Sequence, residues 1–423
     1  MILKTKHDYF IFITSGILVI NLFLSNIGLY GGRTSPPLLI GSMALLILSI
    51  HFINERKMIT KISAKKFIPI IIMGLLFFIY GILFLVPTYI LYAFIFMFQL
   101  LVFAATLDLD LLNRVIYFFS RWVLFIYTAV LLCCFLIAPL SSKQYSGILG
   151  NPNLWGECIS LGIIIILYVY ETINNDKCKI ALLVLFGLSI AHMWFSRSRT
   201  TMLAVIAVIV VYVIYSYINK LNLKKRFLCF SAAIIILIPL TYGGLTTIAP
   251  TVSESIHLDF DRTYERFVDQ VMETPERYLK GVNDEGSISS GRVEIWKRYI
   301  SEISLIGHSP DPISIWNKNE RMDAHNTFLQ TAYQGGIPTL IAFTIPLIAN
   351  LLFLGRKIIQ KKVDSTTFFV MANLAYACVY MLLSSSFGPY NAFSMIGFWL
   401  FSIPSYLIDE CEKVKLNSIK NSR

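Results

Sequence analysis

"FIFITSGILVINLFLSNIGLY", Phe10–Tyr30, decides what kind of molecule this is. As a helix rising about 1.5 Å per residue, this apolar run crosses a hydrocarbon core of about 30 Å. It is too long for the core of a signal peptide, and no small-residue cleavage site follows it, so it reads as a retained span. Comparable runs recur near 37–54, 67–86, 89–106, 116–138, 154–171, 180–196, 200–218, 227–248, 325–355, 366–383 and 391–408. Of the 423 residues, 56% are hydrophobic and 14% charged, more apolar surface than a soluble domain can cover. The fold class expected is an all-α polytopic membrane protein of about 12 transmembrane helices. A transmembrane β-barrel would show shorter alternating segments.

A net charge of +11 invites a nucleic-acid partner, but the charge is distributed as a topology signal. One set of loops holds Arg56, Lys57, Lys61, Lys65 and Lys66, then Lys177 and Lys179, then Lys220, Lys224, Lys225 and Arg226, then Arg356, Lys357, Lys361 and Lys362. Lys4, Lys6 and the basic tail fall on the same side. The short loops between carry Arg33, Lys143, Arg197 and Arg199. The positive-inside rule puts both termini in the cytoplasm, with membrane lipids and no nucleic acid as partners. Three regions follow: 1–248 with nine spans, an outer loop 249–324, and 325–423 with three spans and a cytoplasmic tail.

None of the seven cysteines falls in that outer loop, so no disulfide framework is expected. No zinc-like spacing, phosphate-binding glycine loop or nucleotide motif is visible, and no cofactor is expected. The loop itself is acidic on balance. "ESIHLDFDRTYERFVDQVMETPERYL", Glu254–Leu279, has helical periodicity, and a second helix should begin near Arg292 and end at Gly307 with the Pro310 and Pro312 breakers. A small helical cap is expected on the outer face.

The segment after the loop, "RMDAHNTFLQTAYQGGIPTLIAF" (Arg321–Phe343), starts polar and ends apolar. Residues 325–355 as one helix would run about 46 Å, so the first turns should stand at or above the outer interface. Asn326, Gln330, Tyr333 and Gln334 make a polar stripe, and Gly335, Gly336 and Pro338 permit a kink. With Asp323 as N-cap, His325 would lie in the first turn, where the helix dipole disfavours the imidazolium. A neutral imidazole is what a general base requires. The plainer alternative is an interfacial histidine bonded to lipid or water.

Arg197 and Arg199, in "FSRSRTTML", fall in a tight connection on the side where basic residues are scarce. A guanidinium fork suits phosphate oxygens. Headgroup anchoring or a pair with an acid such as Glu157 are the alternatives. Arg292 alone reads as a loop arginine with a structural partner. Its interest is its expected position at the same membrane face as Arg197, Arg199 and His325. Glu157, after the Asn-Pro-Asn turn of "GILGNPNLWGE", also lies there, as a second base or an arginine's partner.

Taken together these features resemble the O-antigen ligase and polymerase family of bacterial membrane glycosyltransferases, over most of the chain. The strongest element is His325-Asn326 followed, nine residues on, by Gly336. The family usually has a further glycine where this chain has Thr339. "SRSRT" is similar to the family's Ser/Thr-Arg element, with Arg199 the better match. "SGRVEIW" resembles its loop element at Arg292, "SLIGHSP" the glycine-rich turn after it, and "GNPNLWG" the start of its sixth span. The resemblance implies metal-independent, inverting transfer of a glycan from undecaprenyl pyrophosphate to an acceptor hydroxyl, with the active site facing the periplasm. His325 would be the base, and Arg199 and Arg292, with Arg197, would hold the pyrophosphate. Asn326, Gln330 and Glu157 are further substrate-binding candidates.

The acceptor expected is a sugar of the lipid A-core, as in lipopolysaccharide biosynthesis. Extension of another lipid-linked repeat, as by an O-antigen or capsule polymerase, is the alternative. A flippase of lipid-linked glycans would favour charges near the bilayer midplane and repeated halves, and neither is visible. A purely structural membrane protein would not need the arginines and the histidine on one face.

Overall fold

The computed structural model describes residues 5–26, 35–56, 64–140, 144–255, 292–308, 313–314, 321–385, 387–388, 390 and 392–408. Thirteen helices are numbered here in chain order: α1 Lys6–Asn26, α2 Ser35–Arg56, α3 Ala64–Leu83, α4 Pro87–Thr106, α5 Leu109–Ile137, α6 Pro152–Thr172, α7 Asp176–Ser196, α8 Arg199–Ile218, α9 Leu223–Ser255, α10 Arg292–Glu302, α11 Thr327–Ile359, α12 Ser365–Leu383 and α13 Phe393–Ile408. Eleven of these are long and apolar enough to cross a membrane, and α13 is a shorter apolar helix. The protein is a multi-pass, all-α membrane protein. Among the described residues there is, beside the helices, one antiparallel pair of two-residue strands, Ile313–Ser314 with Arg321–Met322.

The loops set the helix starts. Asp108, Asn151, Asn175, Ser198, Asn222 and Asp364 each accept a hydrogen bond from a first-turn amide of α5, α6, α7, α8, α9 and α12. Such caps satisfy donors that a helix start leaves without partners. Helix α9 continues to Ser255, past the expected boundary at 248, through a π-helical stretch at Gly244–Ile248. Most of the helix expected over Glu254–Leu279 lies outside the described residues, as do Arg33, Lys143 and the basic tail.

Helix α6 is the centre of the bundle, with 83% of its apolar window buried. It packs against α5, α7, α8 and α12. Lipid competes for apolar contact between spans, so close fit and polar pairs hold such helices together. A Cβ on Gly156 of α6 would stand 1.6 Å from Thr201 Oγ1 of α8, so these two backbones approach as only glycine permits. Thr201 Oγ1 meets Tyr380 Oη of α12 at 3.2 Å. At the opposite, basic end of the bundle, the Tyr212 hydroxyl donates to Glu171 at 2.6 Å, and Arg226 pairs with the same carboxylate, tying α8 and α9 to α6.

Candidate active site

The three chain segments singled out in the sequence meet at one end of the bundle. Helix α7 ends at Arg197, whose φ of 51° turns the chain back into α8. Ser198 caps α8, and its hydroxyl also donates to Asn153 Oδ1 at 3.0 Å, joining this turn to the Asn-Pro-Asn turn that starts α6. Arg197 is buried, at 3% exposure, within that junction. Arg199, the first residue of α8, is half-buried.

Helix α10 begins at Arg292 and lies against the start of α11. Ile295 and Tyr299 of α10 bury themselves with Ala324, beside Leu329 and Tyr333. The Trp296 indole donates to the Ala324 carbonyl at 2.9 Å. The amide of Ala324 donates to Gln330 Oε1 at 3.0 Å. Both backbone groups of the residue before His325 are therefore held.

His325 stands just outside α11, not in its first turn. The N-cap is Asn326, whose Oδ1 accepts from the Leu329 amide at 3.0 Å, while its Nδ2 donates to the Leu382 carbonyl of α12 at 3.1 Å. Asn and Asp are comparably good caps, and this segment offers one of each three residues apart. Pairing with α12 settles the choice for Asn326. His325 is left with a φ of 47°, a left-handed conformation that costs a non-glycine residue about 1–3 kcal/mol and persists where its surroundings over-determine it. Asn326 and Gln330 are buried and committed to these internal bonds.

Electrostatics links three residues from distant parts of the chain. Burial, and then the charge of Arg199, pushes the Arg292 guanidinium below its ordinary value. Burial, and then the charge of Arg292, pushes the His325 imidazole below 6.5, against an opposing pull from Asp323. Arg292 thus feels Arg199 on one hand and acts on His325 on the other. Both effects on His325 favour the neutral imidazole, and they come from burial and Arg292 and not from a position within the helix.

Below the site α11 is broken. Gly336 has φ 71° and ψ 173°, which no helix contains. The turn Ser304–His308 fits into the break. The His308 amide donates to the Tyr333 carbonyl at 3.0 Å, and the Ile337 amide donates to the Ser304 carbonyl at 3.1 Å. The His308 ring stacks on Tyr333 with centroids 4.6 Å apart. Thr339, where the family usually has glycine, is fully buried and its hydroxyl donates to the Gly335 carbonyl. Backbone groups exposed by the break thus find partners, as the membrane interior demands.

Residues 182–344 match the family model described as O-antigen ligase. Over this stretch, somewhat under half of its length, the chain is similar to the O-antigen ligase family. The match runs from α7 into α11 and takes in Arg197, Arg199, Arg292, His325 and the break at Gly336. The match supports an activity of the O-antigen ligase or polymerase type in general. No curated protein matches the chain.

Glu157, near the start of α6, reaches α13. It is buried, and its Oε2 accepts from the Ser394 hydroxyl at 3.0 Å and from the Ser394 amide at 3.3 Å, at the start of α13. Among the described residues no group of three His, Cys, Asp or Glu side chains is disposed to hold a metal ion. Sequence reasoning missed two supports of the site. Asp323 acts on His325 through its charge, and Trp296 holds the residue before it. The spacing Asp-x-His was the available signal for the first. Nothing local marked the second.

Proposed function

We propose that this chain transfers a glycan from undecaprenyl pyrophosphate to an acceptor hydroxyl on the outer face of the bacterial inner membrane, with inversion, and that the acceptor is a lipid A-core sugar. The observation that carries the reading is the placing of a partly buried His325 within electrostatic reach of Arg292, and of Arg292 within reach of Arg199, which favours a neutral imidazole.

In this reading the pyrophosphate lies against Arg199 and Arg292, whose forks take the charge that grows on the leaving oxygen. His325 accepts the proton of the acceptor hydroxyl as its oxygen attacks the anomeric carbon. The carbon–oxygen bond to the pyrophosphate breaks on the opposite face, and undecaprenyl pyrophosphate departs with the electron pair. The leaving group is already activated, so no nucleotide is consumed. Asn326, Gln330 and Trp296 position His325 through the backbone on either side of it. Arg197 and Glu157 support the turns around the site from within the bundle.

The test is an assay of purified protein with a lipid-linked glycan and separately offered acceptors. Transfer to a lipid A-core acceptor is expected. Growth of a second lipid-linked repeat in its place would make the chain a polymerase. Donor consumption with no acceptor, or none at all with any hydroxyl acceptor, contradicts the proposal.

A further inference from the structure

At the end of the bundle opposite His325 the helices enclose a cavity of about 390 Å³. That lies within the roughly 300–1,000 Å³ typical of small-molecule sites. Lys357 from the last turns of α11 lines it, as do Lys361 and Lys362 from the turn that follows. Phe353, Leu109 and Ile408 supply apolar wall from three different helices.

Three of the other polar side chains of the wall are tied into the fold. Asp364 caps α12 by accepting from the Thr367 amide at 2.7 Å. Asn219 donates to the carbonyls of Val363 at 2.8 Å and Tyr215 at 2.9 Å. Thr366 donates to Asn113 at 2.7 Å. Three lysines and one carboxylate thus line the cavity, and that carboxylate is engaged at a helix start. The Lys357 ammonium lies over the Phe353 ring at 5.3 Å, and Lys361 and Lys362 are exposed.

We propose that this cavity binds the phosphate headgroup of an anionic membrane phospholipid. The charge of the wall selects an anion. The cavity is built at helix ends, and Phe353, Leu109 and Ile408 offer an acyl chain an apolar wall. Basic pockets between transmembrane helices are a recurring means of holding acidic headgroups. The proposal is independent of the transfer reading, from which the whole length of α11 separates it.

The experiment is native mass spectrometry of the full-length protein in neutral detergent, titrated with short-chain phosphatidylglycerol or phosphatidylcholine. The protein should retain phosphatidylglycerol in preference. Each lysine near an anionic headgroup is worth about fivefold, so Lys357→Gln/Lys361→Gln/Lys362→Gln should weaken binding roughly a hundredfold. Lys177→Gln/Lys224→Gln/Lys225→Gln, on the same membrane side but outside the cavity, should leave it unchanged. Thermal unfolding of both variants checks that each is folded, and the single substitutions serve if the triple variant is not. Equal binding of the two lipids, or equal weakening by the two triple variants, overturns the proposal. So does displacement by inorganic phosphate at matching concentration. The carboxylates of Asp409, Glu410 and Glu412 follow Ile408 in sequence. If lipid binds only after these are neutralised, the tail is the occupant and the proposal fails.

Discussion

Gly336 lies so close to the carbonyl oxygen of Leu305 that a Cβ built on it would stand 2.3 Å away. The obstacle is backbone, and the φ of 71° would strain any side chain in addition. This is where the turn after α10 is keyed into the membrane helix that follows His325. Gly336→Ala should therefore lower the melting temperature and remove transfer together. Gly355→Ala, on the same helix with nothing within 4 Å of its Cβ, should change neither. Wild-type behaviour of Gly336→Ala would mean that the turn Ser304–His308 does not seat in the helix break.

The arginines should separate by role. Arg199→Ala and Arg292→Ala should each lose about a hundredfold or more in turnover while staying folded, as is typical when a donor to developing negative charge is removed. Lysine at either position should restore only part of that, since a point charge does not reproduce the fork. Arg197, buried in a left-handed turn, should act on the fold instead. Arg197→Ala should cost thermal stability before it costs chemistry. Steady-state transfer rates and melting curves on the same preparations distinguish these outcomes.

The pH profile tests the electrostatics. Burial and Arg292 hold His325 below its ordinary value, so the base is neutral at pH 7 and activity is lost only as the pH falls through the lowered value. The acid limb of kcat/KM, which reports the free enzyme, should therefore lie below pH 6.5. Asp323 pulls the other way, so Asp323→Asn should move that limb to still lower pH. A limb at or above 6.5, or one that Asp323→Asn leaves in place, contradicts the assignment.

Hydropathy made the spans legible because lipid imposes one condition on some twenty residues at a time. Gly335, Gly336 and Pro338 announced the break for a similar reason, since each states a backbone fact. The cap was harder. "DAHN" holds two good N-cap residues, and only the bond from Asn326 to Leu382 decides between them. The stripe of Asn326, Gln330, Tyr333 and Gln334 does not show its partners: Gln330 holds the Ala324 amide, and Tyr333 stacks on His308. The bond of Glu157 to Ser394 joins residues 237 apart in sequence. Contacts of that range leave no periodicity to read.

Sidedness rests on the alternation of basic loops and calls for its own test. Cysteine placed at Arg199, Arg292 or His325 should react in intact spheroplasts with a membrane-impermeant maleimide. Cysteine at Lys224 should react only after lysis. The reverse pattern would put the site in the cytoplasm and end the proposed use of an outward-facing lipid-linked donor.

The measurement that bears most directly on the mechanism is the transfer rate of His325→Gln across pH. Glutamine can hydrogen-bond an acceptor hydroxyl but cannot take its proton. A general base contributes about 10²–10⁴-fold, so the variant should lose that much in turnover while apparent donor affinity, held by Arg199 and Arg292, stays near wild type. If His325→Gln transfers glycan at close to the wild-type rate at every pH, His325 only positions the acceptor, and the chemistry proposed for this site is wrong.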